Sequence, residues 1–205
     1  MEYRDFEKYF NPFKIFSTED IKKKYPGFDS RRLVEWQQKE YIQKIINRWY
    51  LFSDSKINEP LLFLTANKIY APSYISFDSA LAFYGLIPET VFSIISTSGK
   101  KTKTFHTPVA DFYFRHLKPS LIFGYRLESF DNQYFKIAEP EKAILDYLYL
   151  HPKMQSEEDF EAWRINRDWL EREIDKEKLE RYLFYFSNKA LTNRVQALLR
   201  IIRHG

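Results

Sequence analysis

STEDIKKKYPGFDSRRLVEWQQKEYIQKIINRWYLF, residues 17–52, carries three element signals in succession. Ser17 or Thr18 precedes EDIKKKY, with acids in the first turn and Lys22, Lys23 and Lys24 towards the end, so cap preference and helix dipole agree on a helix that Pro26 and Gly27 stop. After a short turn, Asp29 or Ser30 can cap RRLVEWQQKEY, in which Leu33 and Trp36 or Gln37, then Glu40 and Tyr41, fall at helical spacing. IQKII and WYLF are β-prone runs around the polar pair Asn47-Arg48, a hairpin pattern. Upstream, Tyr3 to Tyr9 forms a support helix ended near Asn11 and Pro12. The order predicts a winged helix-turn-helix over residues 1–58, a unit that sets its second helix in a DNA major groove. Ser30, Arg31, Arg32 and Gln37 or Gln38 then face base edges, where Arg binds guanine and Gln adenine bidentately. Lys22, Lys23, Lys24, Lys39 and Arg48 contact phosphate. A helix-hairpin unit used only for protein contacts is the alternative.

The charge distribution agrees with this placement. The chain has 205 residues and a net charge of +4. Of that charge, +3 lies in residues 1–58, none in residues 59–150 and +1 in residues 151–205. A lysine run is by itself a solvated helix face as readily as a phosphate contact. At 44% hydrophobic, with 5 Gly and 9 Pro, the chain buries a sizeable core. The absence of Cys excludes disulfides, thiolate metal sites and a cysteine nucleophile, and the four His are too widely spaced for a local metal motif. No apolar run approaches the roughly 18 residues of a membrane helix, and MEYRDFEKYF lacks a secretory signal's apolar core, so a cytoplasmic protein is expected. The aromatic fraction of 19% falls largely in periodic apolar positions and is assigned to core.

Residues 59–205 read as a mixed α/β unit, giving an α+β fold overall. INEPLLFLTANKIYAPSY is a connector with an early helix or strand. SFDSALAFYGL is a helix capped by Ser76 and ended by Gly85 and Pro88. VFSIISTS, KTKTFHT, DFYFRHLK, LIFGYRLESF and QYFKIA predict an antiparallel sheet of four or five strands over about residues 91–138. EPEKAILDYLYLHP is a helix on that sheet, and residues 139–205 are helical to the end, with Leu191, Val195, Leu198, Leu199 and Ile202 as the packing stripe of the last helix.

Catalytic constellations fail on inspection. STSGKK, residues 96–101, looks like a phosphate loop but lacks spaced glycines and a strand-to-helix setting, and reads as a hairpin turn. Asp131, Glu139, Glu141 and Lys142 suggest a metal-dependent nuclease, yet Glu141 and Lys142 are adjacent and point about 100° apart on a helix. No glycine-flanked nucleophile turn occurs. No enzyme, catalytic residue, metal or cofactor is expected.

YISFDSALAFYGLIPE, VFSIISTSGKKTKTF, FYFRHLKPSLIFGY and IAEPEKAILDYLYL occur in this order over about residues 70–150. Together they resemble the predicted transcriptional regulators of viral defence, the AbiE-type antitoxins of type IV toxin–antitoxin systems. The resemblance implies an N-terminal winged helix that binds operator DNA upstream of its own operon and represses it. It also implies a C-terminal unit that counters a nucleotidyltransferase-like toxin, without need of a stable complex, in a monomer or weak dimer. Gly85, Leu86, Ile87, Pro88, Glu89, Glu139, Glu141, Lys142 and Asp146 carry the family pattern. Gly85 serves there as helix cap, Pro88 as breaker and the glutamates as a helix N-terminus. Arg115, His116 and Lys142 are the candidates in that unit for a functional role.

Overall fold

The computed structural model describes residues 2–88 and 93–204. Helix α1 (Tyr3–Phe10) leads through a 3-10 turn (Asn11–Phe13) into strand β1 (Ile15–Ser17). Helix α2 (Thr18–Lys24) starts on a capping box: the Ser17 hydroxyl accepts from Asp20 N–H, and the Asp20 carboxylate accepts from Ser17 N–H at 2.8 Å. Helix α3 (Arg31–Gln38) is followed by β2 (Ile42–Ile46) and β3 (Trp49–Phe52), whose tight turn places Arg48 at φ +70°.

These strands form a three-stranded antiparallel sheet in the order β1-β3-β2. Strand alternation gives it two buried faces. Phe16, Tyr50 and Phe52 join Phe6, Phe10 and Trp36 in an aromatic core under α1, α2 and α3. Ile15, Ile45 and Leu51 belong instead to the large core of the remaining chain. In β2, Ile42 serves the first core and Ile45, three residues on and so on the opposite face, the second; the register shifts between Lys44 and Ile46.

Helix α4 (Glu59–Ile69), capped by Asn58, occupies the expected connector and packs on the second sheet. That sheet has six strands: β4 (Tyr74–Ile75), β5 (Ser93–Ser98), β6 (Lys103–His106), β7 (Asp111–His116), β8 (Tyr125–Phe130) and β9 (Gln133–Ala138). Their order is β6-β7-β5-β4-β9-β8. The expected all-antiparallel sheet is corrected to a mixed one, because β5 runs parallel to β7 and β4 parallel to β9. The cause is that β6 pairs with β7 alone, so β7 inserts between β6 and β5. Residues 99–102 therefore cross over the end of β7, and the reading of residues 96–101 as a hairpin turn is corrected with it. Val91 and Phe92 of the first strand signal, and Glu89, lie outside the described residues.

Helix α5 (Phe77–Phe83) ends with Gly85 at φ +71° and Leu86 N–H donating to Leu81 C=O, a left-handed cap that glycine adopts without strain. Helix α6 (Pro140–Leu150) packs against α5, β9 and the last two of the four C-terminal helices. The four are α7 (Glu157–Ala162), α8 (Arg167–Glu173), α9 (Lys176–Phe186) and α10 (Lys189–His204). In α10, Leu191, Val195 and Leu198 are buried and Leu199 is half-buried while Lys189, Asn193, Gln196 and Arg200 are exposed, in line with the stripe; the Ile202 side chain lies outside what the structure describes. The whole is a mixed α/β structure with C-terminal helices, and among the described residues no helix is long and apolar enough to cross a membrane.

Candidate nucleic-acid interface

Helix α3 is anchored by Leu33 and Trp36, both buried, and this leaves Arg31, Val34, Glu35 and Gln38 on its outer side. The helix ends at Gln38, before the expected Glu40 and Tyr41, because Glu40 takes a positive φ of +56° and turns the chain into β2. Ser30 stands at the N-cap in a helical conformation without a side-chain cap bond. Asp29 takes over the capping instead, accepting from Arg31 N–H at 3.0 Å.

The same Asp29 binds the Arg31 guanidinium through Nε at 2.9 Å and Nη2 at 2.8 Å. Hydrogen bonding and the adjoining cation lower the Asp29 carboxyl below its ordinary value, so it stays ionised. Lys39 is held by Glu35 at 2.7 Å, and Arg48 lies 3.7 Å from Glu19. Gln37 departs from its expected role: its Nε2 donates to Leu33 C=O at 2.7 Å, turning the amide back on its own helix. Gln38 and the α2 lysines project outward, Lys24 lying over the Tyr9 ring at 4.2 Å. The carbonyl of Arg48 accepts from Thr18 N–H at 2.9 Å and ties the β2–β3 turn to the start of α2. The outer surface of α2, α3 and the turn is therefore charged but internally paired at three of its cations.

The C-terminal candidates separate into two places. Lys142 is fully buried. Its ammonium donates to the Tyr74 hydroxyl at 2.8 Å and to Asp146, which also accepts from Ser76 Oγ–H at 2.8 Å and Tyr74 O–H at 3.0 Å. The aromatic rings of Phe123 and Phe186 lie 5.1 Å and 5.0 Å from the ammonium. Ser76 thus stands at the N-cap of α5 as expected, but it makes no side-chain cap bond and donates its hydroxyl proton to Asp146. Gly124, at φ +67°, lets the chain pass over this lysine: a Cβ there would stand 3.1 Å from Lys142 Cγ and 2.9 Å from Tyr182 Cε2. Glu141 faces elsewhere, accepting from Asp175 N–H at 3.0 Å and pairing with Lys178 at 3.6 Å. Asp131 sits in the β8–β9 turn and pairs with Lys14 at 3.7 Å. Glu139 shares Lys178 with Glu141, at 3.7 Å, while Asp131 pairs elsewhere, and among the described residues no group of three His, Asp or Glu forms a metal-binding cluster.

Arg115 and His116 end β7 and line a polar cleft of about 360 Å³ with Asp78, Thr102 and His151. His116 Nδ1 lies 2.9 Å from Lys100 C=O and His151 Nδ1 2.7 Å from Tyr147 C=O. A carbonyl only accepts, so each ring carries its proton on Nδ1 and keeps Nε2 for other partners. His151, on the C-terminal end of α6, was not singled out by sequence reasoning. Pro88 is exposed just beyond the Gly85 cap. Compared with known proteins, the chain matches no family model and no curated protein.

Proposed function

We propose that the chain is a DNA-binding autorepressor whose N-terminal elements act as a winged helix, with α3 in the major groove. The observation that carries this reading is the α2–turn–α3 pair backed by a three-stranded sheet. Leu33 and Trp36 face inward, and Arg31, Val34 and Gln38 are left uncovered. In this reading Arg31, Arg32 and Gln38 address base edges, Ser30 lies at the helix start, and Lys22, Lys23, Lys24, Lys39 and Arg48 neutralise phosphate. The Asp29 and Glu35 pairs exchange their carboxylates for DNA on binding. The C-terminal unit is the antitoxin half, acting against a nucleotidyltransferase-like toxin encoded beside it in a cytoplasmic defence system. That half rests on the ordered motifs of residues 70–150.

A second reading draws on the same surface: Val34 is 56% and Tyr41 42% exposed, and Arg31 and Lys39 are already paired. Such a face also suits a protein partner.

Fluorescence anisotropy on DNA from upstream of the gene and on a scrambled duplex, over a range of salt, separates the two. The autorepressor binds its own duplex at least roughly 10³-fold more tightly, with a log–log salt slope of about −0.9 per phosphate neutralised. Arg31→Ala/Arg32→Ala abolishes that preference while the protein still protects cells from the toxin. Weak, equal binding to both duplexes overturns the DNA reading in favour of the protein-docking one.

A further inference from the structure

Where the aromatic core meets the second one, Tyr9, Phe10, Phe13 and Phe16 wall a cavity of about 350 Å³. Tyr9 and Phe13 stand at its mouth, 38% and 37% exposed, with their ring centroids 5.8 Å apart. Solvent-facing aromatic rings around a concavity of this size are the usual walls of a small-molecule site, and the volume, at the lower end of the range, suits one or two fused rings.

The polar groups of the cavity are unequal in charge. Lys68, from α4, reaches in half-buried, and its ammonium has only Ile15 C=O at 3.3 Å and Gln133 Oε1 at 3.4 Å as partners. Among the described residues it makes no ion pair, and burial draws it below its ordinary value. An ammonium has three protons to donate, so one remains for a ligand oxygen. Lys23 and Lys24 add positive charge at the rim. The one acid, Asp20, accepts from Ser17 N–H and Ser17 Oγ–H through Oδ2 in the α2 capping box, and its charge opposes in part the effect of burial on Lys68. Aromatic walls with a recessed cation in no ion pair, and three lysines against one acid, match an anion carried on a flat apolar body.

We propose that this cavity binds a small aromatic carboxylate, its ring packed on the wall that Tyr9 and Phe13 form and its carboxylate on Lys68. The site shares Lys23 and Lys24 with the nucleic-acid reading but does not rest on it, and its test uses no DNA. Benzoate, 2-naphthoate and indole-3-acetate are titrated into the full chain by isothermal calorimetry. At least one binds saturably, one per chain, with a dissociation constant below about 1 mM. The corresponding amide binds at least tenfold more weakly. Lys68→Met lowers affinity at least tenfold, Lys68→Arg retains it, and Phe13→Ala at the exposed mouth weakens it severalfold without touching the cation. Absence of saturable binding by all three acids overturns the proposal. Equal binding of acid and amide, or of Lys68→Met and the unaltered chain, does so as well.

Discussion

Lys142 and Asp146 lie one helical turn apart on α6, and neither touches water. Burial draws the ammonium below its ordinary value and lifts the carboxyl above its own, each opposed by the charge of the other. The pair is tolerated because the Tyr74 and Ser76 hydroxyls fill the remaining bonds. Lys142 therefore has no access to a substrate or a partner, and its place in the sequence motif is explained by the interior. Lys142→Met is expected to cost about 3–5 kcal/mol, since it strands a buried carboxylate. Arg115→Ala, at an exposed position, should stay within about 0.5 kcal/mol. Urea denaturation of both variants measures the contrast, and a Lys142→Met loss below about 1 kcal/mol would show that the pair is dispensable.

At the scale of elements, what was legible in the sequence is what local chemistry determines. The Ser17 box, the Asn47-Arg48 turn and the α10 stripe are each contained within a few turns of chain, and they form where the residues say. The sheet was not legible, because its order depends on which strand inserts beside β5, and nothing in KTKTFHT or DFYFRHLK records that choice. Ser76 keeps the N-cap position of α5, but its hydroxyl is drawn to Asp146, 70 residues away in sequence. In the candidate interface, exposure of the α2 lysines followed from their helix, while the hold of Asp29 on Arg31 was present two residues upstream and went unread. Local caps also carry a pH signature. On α7, the Asp159 carboxylate accepts from Gln155 N–H at 2.9 Å and Ser156 N–H at 2.8 Å, and these bonds hold it below its ordinary value. A depressed carboxyl stabilises the fold fully above its unfolded value of about 3.9 and ceases to do so as pH falls through the lower folded value. The α7 cap should therefore loosen in acid below that window, and Asp159→Ala should remove the acid-dependent step. Side-chain carboxyl NMR shifts of Asp159 over pH 2–6 check this, and an unshifted midpoint would contradict it.

For the whole molecule, the decisive feature is the first sheet with no free face. Phe16, Tyr50 and Phe52 are held on one side by α1 and α3, whereas Ile15, Ile45 and Leu51 on the other belong to the core shared with α4. Lys14 and Asp131 add an ion pair across the same junction at 3.7 Å, and Lys68 a bond to Ile15 C=O. A sheet buried on two sides transmits the loss of either core to the other, so α3 is carried on the body of the protein and does not swing on a tether. Thermal unfolding is then expected as one transition, with calorimetric and van't Hoff enthalpies equal. Leu51→Ala, which opens a cavity at the junction, should cost about 2–5 kcal/mol and move that single transition down as a unit. Differential scanning calorimetry of the unaltered chain and of Leu51→Ala tests this. Two separable transitions in either protein, or a Leu51→Ala effect confined to one of them, would mean that the N-terminal elements fold as an independent body. The candidate interface would in that case be positioned by its own aromatic core alone.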